Sequence, residues 1–233
     1  MLNAAGKLQG IRKNTGASTD PFFSDVVLLM HMEGVNGGTS FPDVKGHAVT
    51  RNGNPVTDTS WASAGLASCL VAGGPDYLTL PLTSDFVFPG DVTIEFTMRL
   101  NAFVGGNNTL MGNYVSNTAG HWMCRIQGST TLIWYLNSAG TFTGGTGSLT
   151  VGNVYKVAMV RSGSTCSLYI NGVQNGTSTT FSGNIGLSTN ALSIGARSNG
   201  VEPSQVNIDE LRITKRARYT GNYTPETAAF PDS

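Results

Sequence analysis

The chain has 233 residues, 12% of them charged, with 14 Lys plus Arg balancing 14 Asp plus Glu. Such a neutral, sparsely charged chain has no basic surplus to recruit nucleic acid, and nowhere do about twenty apolar residues run together to cross a bilayer as a helix. Its length suits one body with a sizeable core, and its 30 glycines fit many short strands joined by tight turns.

Residues 1–24 follow neither the helical nor the strand period and carry Lys7, Arg12 and Lys13, so an extended N-terminal arm is expected ahead of a body at 25–233. The first ten residues contain no continuous apolar h-region, which argues against Sec export. Val26-Val27-Leu28-Leu29-Met30 is continuously apolar, as an interior strand requires, and 34–40 turns the chain. After Tyr77-Leu78-Thr79-Leu80 comes the strictly alternating stretch 92–100, which directs Ile94, Phe96 and Met98 inward and Glu95 away from the core. On that facing Phe96→Ala is costly and Glu95→Ala much less so.

Across 122–126, Trp122, Cys124 and Ile126 face one way, with His121, Met123 and Arg125 facing the other. In the next strand Leu132, Trp134 and Leu136 oppose Ile133 and Tyr135. Segments 155–160 and 167–170 flank a Ser162-Gly163-Ser164 turn, and Asn171-Gly172, both tolerant of positive φ, signals a hairpin. Val206 and Ile208 share one parity while Leu211 and Ile213 share the other, so a β-bulge at Asp209-Glu210 is needed to return both pairs to the core. The class is therefore all-β and antiparallel, without repeats of solenoid or propeller spacing. Cys69, Cys124 and Cys166 are odd in number and lack metal-ligand spacing, so they are expected to be buried free thiols, suited to a reducing cytoplasm.

Leu28-Leu29-Met30-His31-Met32-Glu33-Gly34, Asp76-Tyr77-Leu78-Thr79-Leu80-Pro81 and Asp91-Val92-Thr93-Ile94-Glu95-Phe96 resemble the opening strands of laminin-G-like domains of the concanavalin A-like superfamily. Val157-Ala158-Met159-Val160-Arg161-Ser162-Gly163, Leu168-Tyr169-Ile170-Asn171-Gly172 and Ile208-Asp209-Glu210-Leu211-Arg212-Ile213 follow in that family's order. The run from Ala217-Arg218-Tyr219-Thr220 to Thr224-Pro225 is similar to the tails of such domains in tailed-bacteriophage proteins. The resemblance spans about 26–230 and implies a jelly-roll sandwich of two antiparallel sheets. It further implies a bacteriophage protein made in the host cytoplasm and displayed on the virion surface, with residues 1–24 docked on other capsid or tail proteins.

Glucanases of the same superfamily carry acid and nucleophile on alternate residues of one strand. Here Phe96 and Thr97 follow Glu95, Asp209 and Glu210 are adjacent, and His31, His47 and His121 lack zinc spacing, so no catalytic residue is assigned and no enzyme is expected. No cofactor is required. By analogy with calcium-carrying jelly rolls, Glu33, Asp43 and Asp209 are candidate ligands for a structural calcium; the alternative is that Glu33 and Asp43 hold turns and Asp209 caps the bulge.

Two functions remain open. One is an adhesin that holds glycans through His121, Arg125 and Tyr135, with Asn113 and Tyr114 from the preceding loop. The other is a capsid decoration or tail component whose basic clusters, Lys7, Arg12 and Lys13 in the arm and Lys215, Arg216 and Arg218 near the end, meet acidic coat surfaces. A decoration-type protein with weak glycan adhesion is the favoured expectation, a tail-associated adhesin the alternative, and a glycoside hydrolase ranks below both. Exposed sheet edges and particle symmetry favour a homo-oligomer, with a trimer as the working expectation.

Overall fold

The computed structural model describes residues 19–118, 120–128, 130–136, 141–145 and 147–233. Among these, the chain first forms β1 (Val26–Met30), β2 (Thr50–Asn52), β3 (Val56–Asp58), β4 (Ser68–Ala72), β5 (Tyr77–Leu80), β6 (Val92–Ala102), β7 (Asn107–Gly112) and β8 (Trp122–Gln127). Then follow β9 (Thr131–Leu136), β10 (Thr141–Gly144), β11 (Val154–Ser162), β12 (Thr165–Ile170), β13 (Val173–Gln174), β14 (Thr179–Thr180), β15 (Leu192–Ile194) and β16 (Gln205–Thr214). Among the described residues, helix is confined to single 3-10 turns at Phe23–Asp25 and Ser84–Phe86.

The strands make two antiparallel sheets. One runs β13-β12-β11-β6-β16-β4-β3, with β1 added beside β16 and β14 beside β12; the other runs β10-β9-β8-β7-β15-β5-β2. This is the all-β sandwich that the alternating pattern requires. Ile94, Phe96, Met98 and Leu100 of β6 share one core with Trp122, Cys124 and Ile126 of β8 and Leu132, Trp134 and Leu136 of β9. The bulge lies where it was expected. Asp209 pairs with Thr97 and Arg212 with Glu95, so Glu210 and Leu211 together oppose Phe96, and Glu210 takes φ 49°. That extra residue returns Val206, Ile208, Leu211 and Ile213 to one core. The three cysteines are buried and free, and burial pushes their thiols up, Cys166 to about 12.

Where the facing argument stops short is the other side of β6. Glu95 does not meet solvent; it is 4% exposed, because residues 19–25 and 215–233 lie across the outer face of the nine-stranded sheet. Ala158, Val160 and Tyr169 on that face pack against Ala217, Tyr219 and Tyr223 of the C-terminal strap. At the centre is the Arg212 guanidinium, which donates to Glu95 (Nε, 3.0 Å) and Asp20 (Nη1, 3.1 Å), reaches Glu226 at 3.4 Å and stacks 3.7 Å from the Phe230 ring centre. The Asp20 N–H donates to the Ser233 carbonyl at 2.7 Å, which brings the two ends of the described chain together. Residues 19–24, expected in the arm, therefore pack on the body. The remainder of that segment, with Lys7, Arg12 and Lys13, lies outside the described residues.

The β12–β13 turn also anchors the strap. Asn171 and Gly172 adopt φ 53° and 78°, and the Tyr223 N–H donates to the Gly172 carbonyl at 2.8 Å. A Cβ on Gly172 would lie 1.9 Å from the Tyr223 carbonyl oxygen. Gly172→Ala is thus expected to cost more than about 1–3 kcal/mol, because backbone strain adds to the collision. Urea unfolding checks this; a wild-type midpoint would contradict it.

Candidate functional site

The outer face of the seven-stranded sheet carries the residues singled out for ligand contact. In the β8–β9 ladder Met123 pairs with Tyr135 and Arg125 with Ile133, which places all four on this face, opposite the core set. Tyr114, from the loop after β7, meets Tyr135 edge to face with ring centres 5.5 Å apart. Both phenols donate to the Asn117 Oδ1, at 2.6 and 3.2 Å. Burial, with the Tyr114 hydroxyl beside it, raises the Tyr135 phenol above its ordinary value, so it stays a protonated donor.

Two guanidinium groups flank the rings. Arg197 lies 4.7 Å from the Tyr114 ring centre and Arg125 5.7 Å from that of Tyr135. Both turn to Glu202, Arg197 in a two-pronged hydrogen bond (2.9 and 2.5 Å) and Arg125 as an ion pair at 3.8 Å. Two cations against one carboxylate leave the cluster net positive. The Arg125 Nε–H is buried without an acceptor among the described residues.

Asn113 and His121 play another part than the expected one. Asn113 accepts from the Trp122 N–H and donates to the Gly186 carbonyl, and His121 bonds the Ser116 carbonyl and Asn190. Both are buried and build the loop that carries Tyr114 and Asn117. Arg197, Glu202 and Asn117 were not singled out in the sequence. Asn199-Gly200 was the available signal for the first two: it makes the tight turn in which the Arg197 N–H donates to the Val201 carbonyl, returning Glu202 beside Arg197.

Of the three acids considered for calcium, Glu33 and Asp209 brace the same loop at 63–66, and Asp43 braces a different one. Glu33 accepts from the Leu66 N–H; Asp43 accepts from the N–H groups of Leu29, Lys45 and His47; Asp209 accepts from those of Ser63, Ala64 and Glu210. Their oxygens brace loops, and among the described residues no group of three or more His, Cys, Asp or Glu side chains is arranged to hold a metal ion. The C-terminal basic residues are likewise engaged within the chain. Lys215 donates to the Ser84 carbonyl, Arg216 pairs with Asp25 at 2.8 Å, and Arg218 pairs with Asp20 at 2.5 Å. Arg216 and Arg218 fasten residues 20–25 to the strap, and the Lys215 side chain ties it to the turn at Ser84.

Residues 72–220, more than half of the chain, match the family Laminin_G_3 of the concanavalin A-like lectin/glucanases superfamily. The chain belongs to this family. A search of curated protein sequences finds no match. Among solved structures, the binding domain of Paraclostridial mosquitocidal protein 1 superposes with TM-score 0.64 at 15% identity, covering 85% of this chain and 50% of that one. The botulinum neurotoxin serotype G binding domain gives 0.62 at 14%, covering 83% and 48%. The serotype D ligand-binding domain in complex with N-acetylneuraminic acid gives 0.63 at 13%, covering 85% and 49%. At these identities the likeness is one of fold, and the chain spans about half of each of those structures.

In this laminin-G-like domain the acids of β6 and β16 are committed to structure. Glu95 accepts from Arg212 and from the Tyr219 hydroxyl, and Glu210 accepts from the Phe230 N–H and from His31. His31 completes a staple by donating its Nε2 proton to Asp232 at 2.7 Å. The Glu210 hydrogen bond, against the opposing effect of burial and helped by Asp232, raises His31 to about 9. A histidine whose pKa is raised on folding stabilises fully below its unfolded value of about 6.5, and that contribution fades as pH climbs through the folded value. The Asp209 carboxyl, pushed up to about 7 by burial, completes most of its own change below that interval. Denaturation midpoints are therefore expected to fall between pH 7 and 9.5, and His31→Gln to flatten the fall; an unaltered slope in the variant would contradict the staple.

Proposed function

We propose that this chain is a non-enzymatic adhesive module that holds acidic glycans on the outer face of its seven-stranded sheet. The observation that carries the reading is the cluster around the half-buried Tyr135: its ring offers aromatic surface for a sugar, Asn117 an amide to orient it, and Arg125 with Arg197 a net positive charge for a carboxylate, while the buried Tyr114 supports Tyr135 from beneath. Structures of like fold are binding domains, one of them in complex with N-acetylneuraminic acid, which supports a binding over a catalytic role. A glycan array probed with the chain is expected to light sialylated or uronic-acid structures above neutral ones. An array with no signal, or with neutral glycans alone, would overturn the reading.

The finer reading is that this module is displayed on the virion surface of a tailed bacteriophage, as a decoration or tail-associated protein docked through the N-terminal segment. The resemblance of 217–225 to phage domain tails and the three unpaired thiols support it. Mass spectrometry of purified particles should find the chain, and light scattering should find a homo-oligomer. Particles lacking it would remove the virion assignment without touching the glycan site.

A further inference from the structure

Among the described residues, a groove remains at the edge of the strap on the nine-stranded sheet. Beyond Tyr169, the β11–β12 hairpin presents Ser162, Thr165 and Ser167 on the outer side, and the strap supplies Tyr219 and Thr220 as the opposite wall. The groove between them holds about 210 Å³. That is smaller than the roughly 300–1,000 Å³ of pockets for drug-sized molecules and suits a single ring.

The lining is chemically specific. Among the described residues, no charged side chain lines the groove. The hydroxyls of Ser162, Thr165 and Thr220 have no hydrogen-bond partner among the described residues, whereas Ser167 is held by Ser178 at 2.8 Å. Tyr219 is fixed on two sides: its hydroxyl donates to Glu95 at 2.8 Å, and Tyr223 stacks on one ring face with centres 3.5 Å apart and planes 3° off parallel. Tyr223 takes no part in the groove, so it is the remainder of the Tyr219 ring that lines it. A rigid aromatic wall opposite uncommitted hydroxyls, without charge, complements a neutral, hydroxyl-rich ring.

We infer that the groove between the β11–β12 hairpin and Tyr219 is a second glycan subsite, selective for a neutral pyranose. It uses none of the residues of the positive cluster on the opposite sheet, so the two stand or fall separately. The test is a titration of the nitrogen-15-labelled chain with methyl α-D-mannopyranoside, methyl β-D-galactopyranoside and N-acetylneuraminic acid, followed by amide shifts. At least one neutral glycoside is expected to move the amides of 162–169 and 219–220 saturably, with N-acetylneuraminic acid leaving them in place. Thr165→Arg, an exposed position at the strand end, should abolish those shifts and leave the spectrum otherwise folded. Groove amides unmoved by both neutral glycosides, or shifts that persist in Thr165→Arg, would overturn the subsite. Perturbations confined to 123–127 and 131–135 would overturn it too, while favouring the other face.

Discussion

Arg212→Ala is expected to cost about 3–5 kcal/mol, as removal of one member of a buried charge network does, and to loosen both chain ends. The Arg212 side chain is 1% exposed, and Asp20 and Glu95 beside it are 2% and 6% exposed. Deleting the guanidinium leaves two carboxylates facing each other in a site that water scarcely reaches, with Arg218 the one cation paired with both among the described residues. Phe230 would lose the cation it stacks on, and Glu226 its ion-pair partner. Urea unfolding gives the magnitude, and limited proteolysis gives the location: new cleavage is expected in 215–233 under native conditions. A loss below about 1 kcal/mol, the range of exposed pairs, would mean that the network is solvated.

The second large effect concerns β6, where neighbouring side chains point to opposite faces and neither meets water. Phe96→Ala, which empties part of the core, is expected to cost about 3–5 kcal/mol. Glu95→Ala should approach the same loss, because it strips Arg212 and the Tyr219 hydroxyl of their acceptor. Val35→Ala, at a residue 77% exposed, is the control and should stay within about 0.5 kcal/mol. If Glu95→Ala behaves like the control, the strap does not cover this face in solution.

That contrast also marks how far the sequence could be read. Alternation in 92–100 and the parity slip at 209–210 report which residues face the core, since a period of two is a local property of the strand. Both were legible, as was the Asn171-Gly172 hairpin. Whether the opposite face is wet depends on what crosses it, and nothing within β6 records that residues 19–25 and 215–233 do so. The basic run Lys215, Arg216, Arg218 therefore looked like a free surface, although its partners Asp20, Asp25 and Ser84 lie far away in the chain.

Site residues divide along the same line. Arg125 and Tyr135 could be placed on one outer face from strand parity, and Tyr114 joined them from the adjacent loop. Arg197 and Glu202 come from a distant turn, beyond the reach of any local pattern. Asn113 and His121 were placed in the right neighbourhood with the wrong task, because loop polar groups that become buried are recruited by nearby backbone. The same rule explains the acids considered for calcium. Glu33, Asp43 and Asp209 stand where backbone N–H groups of turns need acceptors, and those groups take the oxygens that a cation would use.

The ligand face is tested most directly by isothermal titration calorimetry of the chain and its Tyr135→Ala variant against the strongest acidic glycan from the array, with thermal unfolding of both run in parallel. Loss of the ring and of its contact with Arg125 is expected to raise Kd about tenfold or more, equivalent to about 1.4 kcal/mol, while the half-buried position leaves Tm near that of the wild type. An unchanged Kd in a folded variant would contradict the assignment of glycan binding to this sheet.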